Sequence, residues 1–260
     1  MGKLYERADI YDLLENKEKF EINKKHWAAL LEGRDITSVL DISIGTGSSS
    51  LPLLELGVKL SGSDLSQDML DKCREKSENM QKEIELTQCD FRELSAKIVG
   101  EFDCVASTGN SLPYITNGEV MQVLEQMDKL IRPGGYLYFD IRNWDKILRE
   151  HQRFYLYNPV FLNENRVNLI QVWDYENDGS MIFNLIFTFE QDNKIIQKEH
   201  FKEHYYPISK NVLLNKLEEM RYVDIQVLCH PAYVTGINIE DVDWYTVIAQ
   251  KDDMSIYDNE

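Results

Sequence analysis

Val39-Leu40-Asp41-Ile42-Ser43-Ile44-Gly45-Thr46-Gly47 is an apolar run that carries one carboxylate and opens into a turn with two glycines. A strand followed by such a turn and then a helix brings bare backbone against a ligand, since side chains at Gly45 and Gly47 would block the approach. Working outward, strands are expected at 38–42, 59–63, 84–88, 102–107 and 135–140, with helices at 49–56, 67–80 and 119–130 between them. Strands alternating with helices at this spacing predict an α/β fold built on a doubly wound, mostly parallel sheet. Ser66 is placed to cap the 67–80 helix, whose Met69, Leu70 and Cys73 make an inward stripe. Arg132-Pro133-Gly134-Gly135 is expected to end the 119–130 helix and turn the chain into the next strand.

Three acids stand at the tips of three consecutive strands. Asp41 closes the first, where a carboxylate favours a ligand bearing positive charge such as an ammonium or sulfonium. Asp64 ends the second in Ser61-Gly62-Ser63-Asp64, 17 residues after Gly47, where nucleoside-binding doubly wound folds grip ribose hydroxyls with a bidentate acceptor. Asp90 follows the third in Gln88-Cys89-Asp90-Phe91 and is able to accept from an adenine amino group. Any one of them has an ordinary alternative as a helix cap or turn residue. Taken together, in order and spacing, they describe a nucleoside crevice. A dinucleotide site is the competing reading, but its third glycine or alanine is replaced by Ser50, and a pyrophosphate gains nothing from Asp41.

Beyond about residue 155 the texture changes. Runs at 166–175, 180–189 and 194–206 are separated by Glu176-Asn177-Asp178-Gly179 and Gln191-Asp192-Asn193-Lys194, which predicts an antiparallel meander. A helix at 209–220 and strands at 223–229 and 244–251 then return the chain to the main sheet, bringing it to seven strands. Residues 1–154 and 207–251 are therefore expected to form one unit and 155–206 an inserted antiparallel β lid. The acidic tail from Asp252 is expected to fray.

Composition narrows the partners. Forty-five acidic against 28 basic side chains give a formal net charge of −17, which repels nucleic acid and anionic membranes. The opening residues lack an apolar leader core, no apolar run is long enough to span a bilayer, and Cys73, Cys89, Cys104 and Cys229 form no CxxC pair. A cytoplasmic protein acting on a small molecule is expected, and no pattern sets an oligomeric state. His200 and His204 invite a metal reading, but on a strand they stand about 13 Å apart at roughly 3.3 Å per residue, so no metal site is expected.

The stretch 36–145 resembles the class I S-adenosylmethionine-dependent methyltransferases. Leu40-Asp41 followed by Gly45-Thr46-Gly47, the acid at Asp64, Asp90 and the Arg132-Pro133-Gly134-Gly135 turn match in order, while Ser43 stands where the superfamily usually has Gly. The resemblance implies a Rossmann-like methyltransferase fold with S-adenosyl-L-methionine as cofactor. Thr108-Gly109-Asn110-Ser111 and Asp140-Ile141-Arg142-Asn143-Trp144-Asp145 resemble the glycine and sarcosine N-methyltransferases in particular. It implies that Asn110 lies beside donor and substrate and that Arg142 binds a substrate carboxylate, a role its planar fork suits.

The expected cofactor-binding set is Asp41, Ser43, Gly45, Gly47, Asp64, Leu65, Asp90, Phe91, Thr108 and Tyr11, with Asn110 and Arg142 as the catalytic pair. Tyr5, Tyr11 and Phe20 are candidates to close over a sulfonium with their ring faces, and Lys17 and Lys19 to meet the donor's carboxylate. Methyl transfer to glycine, sarcosine or a related amino acid is the leading reading. An O- or C-methyltransferase and a donor-binding regulator without turnover are the alternatives.

Overall fold

In the computed structural model, which describes residues 4–162 and 165–253, the strands are β1 (Ser38–Asp41), β2 (Lys59–Asp64), β3 (Glu85–Gln88), β4 (Phe102–Ser107), β5 (Ile131–Arg142), β6 (Phe154–Leu156), β7 (Val160–Leu162), β8 (Asn165–Tyr175), β9 (Met181–Gln191), β10 (Lys194–Tyr205), β11 (Tyr222–Cys229) and β12 (Trp244–Lys251). The helices are α1 (Ala8–Tyr11), α2 (Lys17–Leu31), α3 (Pro52–Glu55), α4 (Gln67–Asn79), α5 (Leu94–Lys97), α6 (Asn117–Asp128), α7 (Trp144–Glu150) and α8 (Lys210–Glu219). Of the acidic tail, residues 254–260 lie outside the described residues.

The main sheet has seven strands in the order β11-β12-β5-β4-β1-β2-β3, parallel throughout except at β12, which runs antiparallel to both its neighbours. The chain winds outward from β1 through β2 to β3, then returns to lay β4 on the other flank of β1. That reversal opens a crevice beyond the carboxyl ends of β1 and β4, the usual ligand position in such sheets.

Both faces of the sheet are covered, so its strands are apolar on both sides and their period of two sorts residues between two cores. Leu40, Val105, Leu137, Phe139 and Val247 enter one core. Val39, Cys104, Ala106, Tyr136, Tyr138 and Ile248 enter the other, against Trp27 and Leu30 of α2 and Leu53 and Leu54 of α3. The antiparallel sheet β10-β9-β8-β6, with β7 also paired to β8, lays Val167, Leu169, Trp173, Phe183, Leu185, Phe187 and Phe201 onto the first core.

Local chemistry sets the element ends. Ser66 caps α4 by accepting from Met69 N, and Met69, Leu70 and Cys73 are buried as expected. Thr116 and Glu119 form a reciprocal capping box at α6. Two boundaries differ from the sequence reading. The helix expected at 49–56 is reduced to Pro52–Glu55, because Ser48, Ser49 and Ser50 favour turns and Pro52 suits a first helical turn. β5 starts at Ile131 rather than at Gly135, and α6 ends at Asp128. The Pro133 to Gly135 segment is absorbed as an irregularity in the β4–β5 register, between the Phe102 and Cys104 pairings.

Candidate active site

A cavity of about 730 Å³ sits in that crevice. Its floor comes from the turns after the first four strands: Ser43 and Gly45 after β1, Asp64 and Leu65 at β2, Asp90 and Phe91 after β3, Thr108 and Gly109 after β4. Tyr5 and Tyr11 of the N-terminal segment close over it, and Glu203 and Tyr206 at the end of β10 form its far side. The segment is strapped down by Asp12, whose Oδ1 accepts from Thr46 Oγ1 at 2.6 Å and from Lys76 Nζ at 2.8 Å. Ser66 Oγ adds a hydrogen bond to the Tyr5 carbonyl at 2.7 Å.

Asp64 is fixed before any ligand arrives. One carboxylate oxygen accepts from Gly45 N and the other from Ser66 N, both at 2.9 Å. Burial raises the carboxyl's pKa above its ordinary value, against the backbone hydrogen bonds that lower it. Leu65 beside it is 67% exposed, an apolar face left open on the cavity rim. Asp90 is held by Arg92, whose Nη2 reaches it at 2.5 Å while Nη1 reaches Glu119 at 2.8 Å; the hydrogen bonds from Arg92 depress its pKa.

Asp41 and Gly47 lie off the cavity wall. Asp41 is fully buried below the floor, accepting from Ser43 N at 3.1 Å, Thr108 Oγ1 at 2.8 Å and Ser50 Oγ. Burial pushes its pKa up to about 6 against these hydrogen bonds. Its negative charge therefore reaches the cavity through Ser43 and Thr108, which do line it. Gly47 serves packing: a Cβ there would stand 2.5 Å from Leu51 Cγ and 2.9 Å from Cys73 Sγ, with φ at +82°. Only Gly45 of the two presents bare backbone to the cavity.

Asn110 and Arg142 form a second cluster behind the cavity. Asn110, in the left-handed region at φ 60°, is buried, and its Oδ1 accepts from Arg142 N at 3.0 Å while its Nδ2 is a buried donor with no partner among the described residues. Arg142 is 5% exposed. Its guanidinium lies among the rings of Tyr155, Trp173, Phe183 and Trp244 at 4.9 to 5.7 Å from their centroids. Its side-chain hydrogen bonds, to Tyr157 Oη at 3.3 Å and Gln171 Oε1 at 3.5 Å, are long, and among the described residues no carboxylate pairs with it. Between this box and the cavity stand Tyr114 and Tyr205, joined hydroxyl to hydroxyl, with Tyr5 Oη donating to Tyr114 Oη at 2.5 Å. Burial holds all three phenols well above their ordinary pKa.

The other candidates fall elsewhere. Phe20 packs on the opposite core, and Lys19 pairs with Glu15 at 2.6 Å. His200 and His204 are both on β10, with His200 Nε2 against Asn184 Oδ1 at 3.1 Å. The strap through Asp12 and Lys76, and the aromatic box, escaped the sequence reading. Aspartate and lysine 64 positions apart carry no local pattern, and the box is assembled from five different strands.

Residues 39–135 match the methyltransferase domain family. The chain is 31% identical over 170 residues to the glycine/sarcosine N-methyltransferase of Halorhodospira halochloris, covering 62% of this chain and 63% of that one. It is 24% identical over 247 residues to the glycine/sarcosine/dimethylglycine N-methyltransferase of Actinopolyspora halophila, covering 92% of this chain and 40% of that one. The chain thus spans 63% and 40% of these relatives' lengths. An S-adenosylmethionine-dependent methyltransferase from Clostridium acetobutylicum superposes with a TM-score of 0.73 at 17% identity, over 94% of this chain and 97% of its own. An amino pentose methyltransferase from Micromonospora echinaspora does so at 0.67 and 14%, over 96% and 98%. At such identities the structural likeness establishes the fold.

Proposed function

We propose that this chain, whose residues 39–135 form a methyltransferase domain, takes a methyl group from S-adenosylmethionine and transfers it to the amine of a small amino acid such as glycine or sarcosine. The observation that carries the acceptor half is Arg142, a buried guanidinium without an anion among the described residues. Removing such a charge from water is unfavourable unless a counter-charge arrives, and the planar fork suits a carboxylate. The names of the relatives from Halorhodospira and Actinopolyspora point the same way.

The donor half rests on the cavity. Asp64 is oriented to take the ribose hydroxyls, Asp90 stands where a base amino group would reach it, and Leu65 and Phe91 offer apolar faces to a flat base. Gly45 lets the backbone approach, and Asp41 supplies negative potential beneath Ser43 and Thr108 toward the donor's ammonium. When bound, the donor supplies a methyl carbon already activated by positive sulfur, so the residues need only position and desolvate the reactants. Transfer forms the new bond to nitrogen as the carbon–sulfur bond breaks, and the amine sheds its extra proton to solvent. The tyrosine hydroxyls toward the acceptor stay protonated and so donate or accept hydrogen bonds without holding an ammonium as an ion pair. The unpaired Nδ2 of Asn110 is the donor available for orienting the acceptor.

In this reading residues 1–154 and 207–251 hold the donor and 155–206, with the sheet β6 to β10, form the acceptor lid. For a carboxylate to reach Arg142, Tyr205 has to part from Tyr114. Incubation with methyl-labelled donor tests the proposal, using glycine, sarcosine, larger amino acids, amines without a carboxylate, and amino sugars. Label on the carboxylate-bearing amines is expected. Transfer confined to carboxylate-free acceptors overturns the role of Arg142, and tight donor binding without transfer to any acceptor overturns the enzymatic reading.

A further inference from the structure

A chain of buried polar groups runs from the helical layer on the far side of the sheet to the turn after β4. Ala232 N donates to His26 Nδ1 at 2.8 Å, so a neutral His26 carries its proton on Nε2. That nitrogen lies 2.9 Å from Tyr138 Oη. With its oxygen accepting from His26, the phenol donates onward to Asp140 Oδ2 at 3.2 Å. Asp140 Oδ1 accepts from Gly109 N at 3.0 Å, and the Asp140 carbonyl accepts from Asn110 N at 3.3 Å. His26, Tyr138 and Asp140 are buried at 1%, 0% and 4% exposure, where an unmade hydrogen bond is most unfavourable. Burial also keeps His26 neutral, with the tilted ring of His230, 4.6 Å away between centroids, opposing a charge.

The end of this chain is the turn that both halves of the site share. Gly109 and Asn110 are consecutive left-handed residues, at φ 73° and 60°, and for asparagine that conformation persists only when its surroundings hold it. Thr108 and Gly109 line the donor cavity, while Asn110 braces the backbone of Arg142. Asp140 grips the turn through two amides, Gly109 N by its carboxylate and Asn110 N by its main-chain carbonyl, and the Tyr138 hydroxyl holds the other oxygen of that carboxylate.

We propose that Tyr138, aimed by the neutral imidazole of His26, is a positioning residue that locks the Thr108 to Ser111 turn through Asp140. It touches neither donor nor acceptor; its effect on transfer rests on the function proposed above, but its effect on the turn does not. The test combines Tyr138→Phe, His26→Leu and His26→Gln. The glutamine amide reproduces the acceptor and donor pair of the imidazole and so acts as the conservative rescue.

Amide hydrogen exchange at Gly109 and Asn110, measured on the protein without ligands, reads the turn directly. Exchange about tenfold or more faster is expected in Tyr138→Phe and His26→Leu, with near wild-type protection in His26→Gln. In turnover assays, kcat should fall by about tenfold to a hundredfold with donor Kd within about twofold, the pattern of a misplaced rather than missing group. Unchanged exchange at both amides in folded Tyr138→Phe overturns the proposal. Should that variant not fold, equal protection in His26→Leu and wild type overturns it instead. Wild-type protein that methylates nothing sinks the transfer reading, yet the exchange measurement still decides this one.

Discussion

In the proposed function, the donor side and the acceptor side of the site are built on different plans. The donor cavity is floored by the ends of β1 to β4 and uses backbone amides, glycine and short acids, each within a few residues of a strand tip. The acceptor box gathers Arg142 from β5, Tyr155 from β6, Trp173 from β8, Phe183 from β9 and Trp244 from β12. The donor side is preorganised: Asp64 is already held by two amides. The proposed acceptor side holds a guanidinium that no carboxylate pairs with among the described residues, beside ring faces and long hydrogen bonds, and the proposal has its ligand complete it. In the proposed function the cofactor is met by backbone at the strand ends of one sheet, whereas the acceptor is met by long side chains drawn from both sheets.

The sharpest way to break this contrast is at Arg142. Arg142→Met should raise the acceptor KM by about a hundredfold, from loss of a charge-assisted pair worth about 1.5 to 3 kcal/mol, with donor affinity unchanged. Because the guanidinium has no anion to leave behind, the thermal midpoint without ligands should hold or rise. A drop in both donor affinity and midpoint would show that the arginine supports the fold rather than the acceptor. On the donor side, Asp64→Ala should weaken binding of the demethylated donor, by calorimetry, by about 1 to 3 kcal/mol, the penalty for unpaired hydroxyls. Unchanged affinity would remove the ribose assignment.

Asp41 gives the contrast a pH signature. Its folded pKa of about 6 lies above the ordinary 3.8, so the folded state holds the proton more tightly than the unfolded chain. Its contribution to stability without donor is thus greatest at low pH and falls as pH rises from about 4 to about 6. A bound ammonium favours the ionised form, so donor affinity should fall as pH drops through about 6, approaching tenfold per unit. Titrations of wild type and Asp41→Asn check this: the asparagine variant should lose most of the slope, and an equal slope in both would exclude Asp41 as its source. The smallest effect is expected at the strap. Lys76→Met removes a partly exposed pair with Asp12, worth about 0.2 to 1 kcal/mol, and should speed donor release by up to about fivefold in stopped-flow displacement. No change in release would show that the N-terminal segment closes without it.

What could be read in advance follows the same division. The cavity positions of Asp64, Asp90 and Gly45 were legible because these residues lie beside the strand ends that the apolar pattern already marks. The roles of Asp41 and Gly47 were not: whether a strand-tip carboxylate faces the crevice or sinks beneath it depends on Ser50 and Thr108 closing over it, and Gly47 is required by Leu51 and Cys73. Thr108-Gly109-Asn110-Ser111 was visible as a turn, but the buried line from His26 through Tyr138 that braces it was not.

By itself the sequence determined the alternation of strands and helices in a mostly parallel sheet, the antiparallel meander and the turns at the strand ends, since periodicity, caps and glycines act over a few residues. Tertiary structure alone decided which acids reach the cavity, that Arg142 lies in an aromatic box without a counter-ion among the described residues, and that a histidine on the far face steadies the central turn. Those outcomes depend on side chains brought together from distant strands, where burial fixes which charges and hydrogen bonds are met.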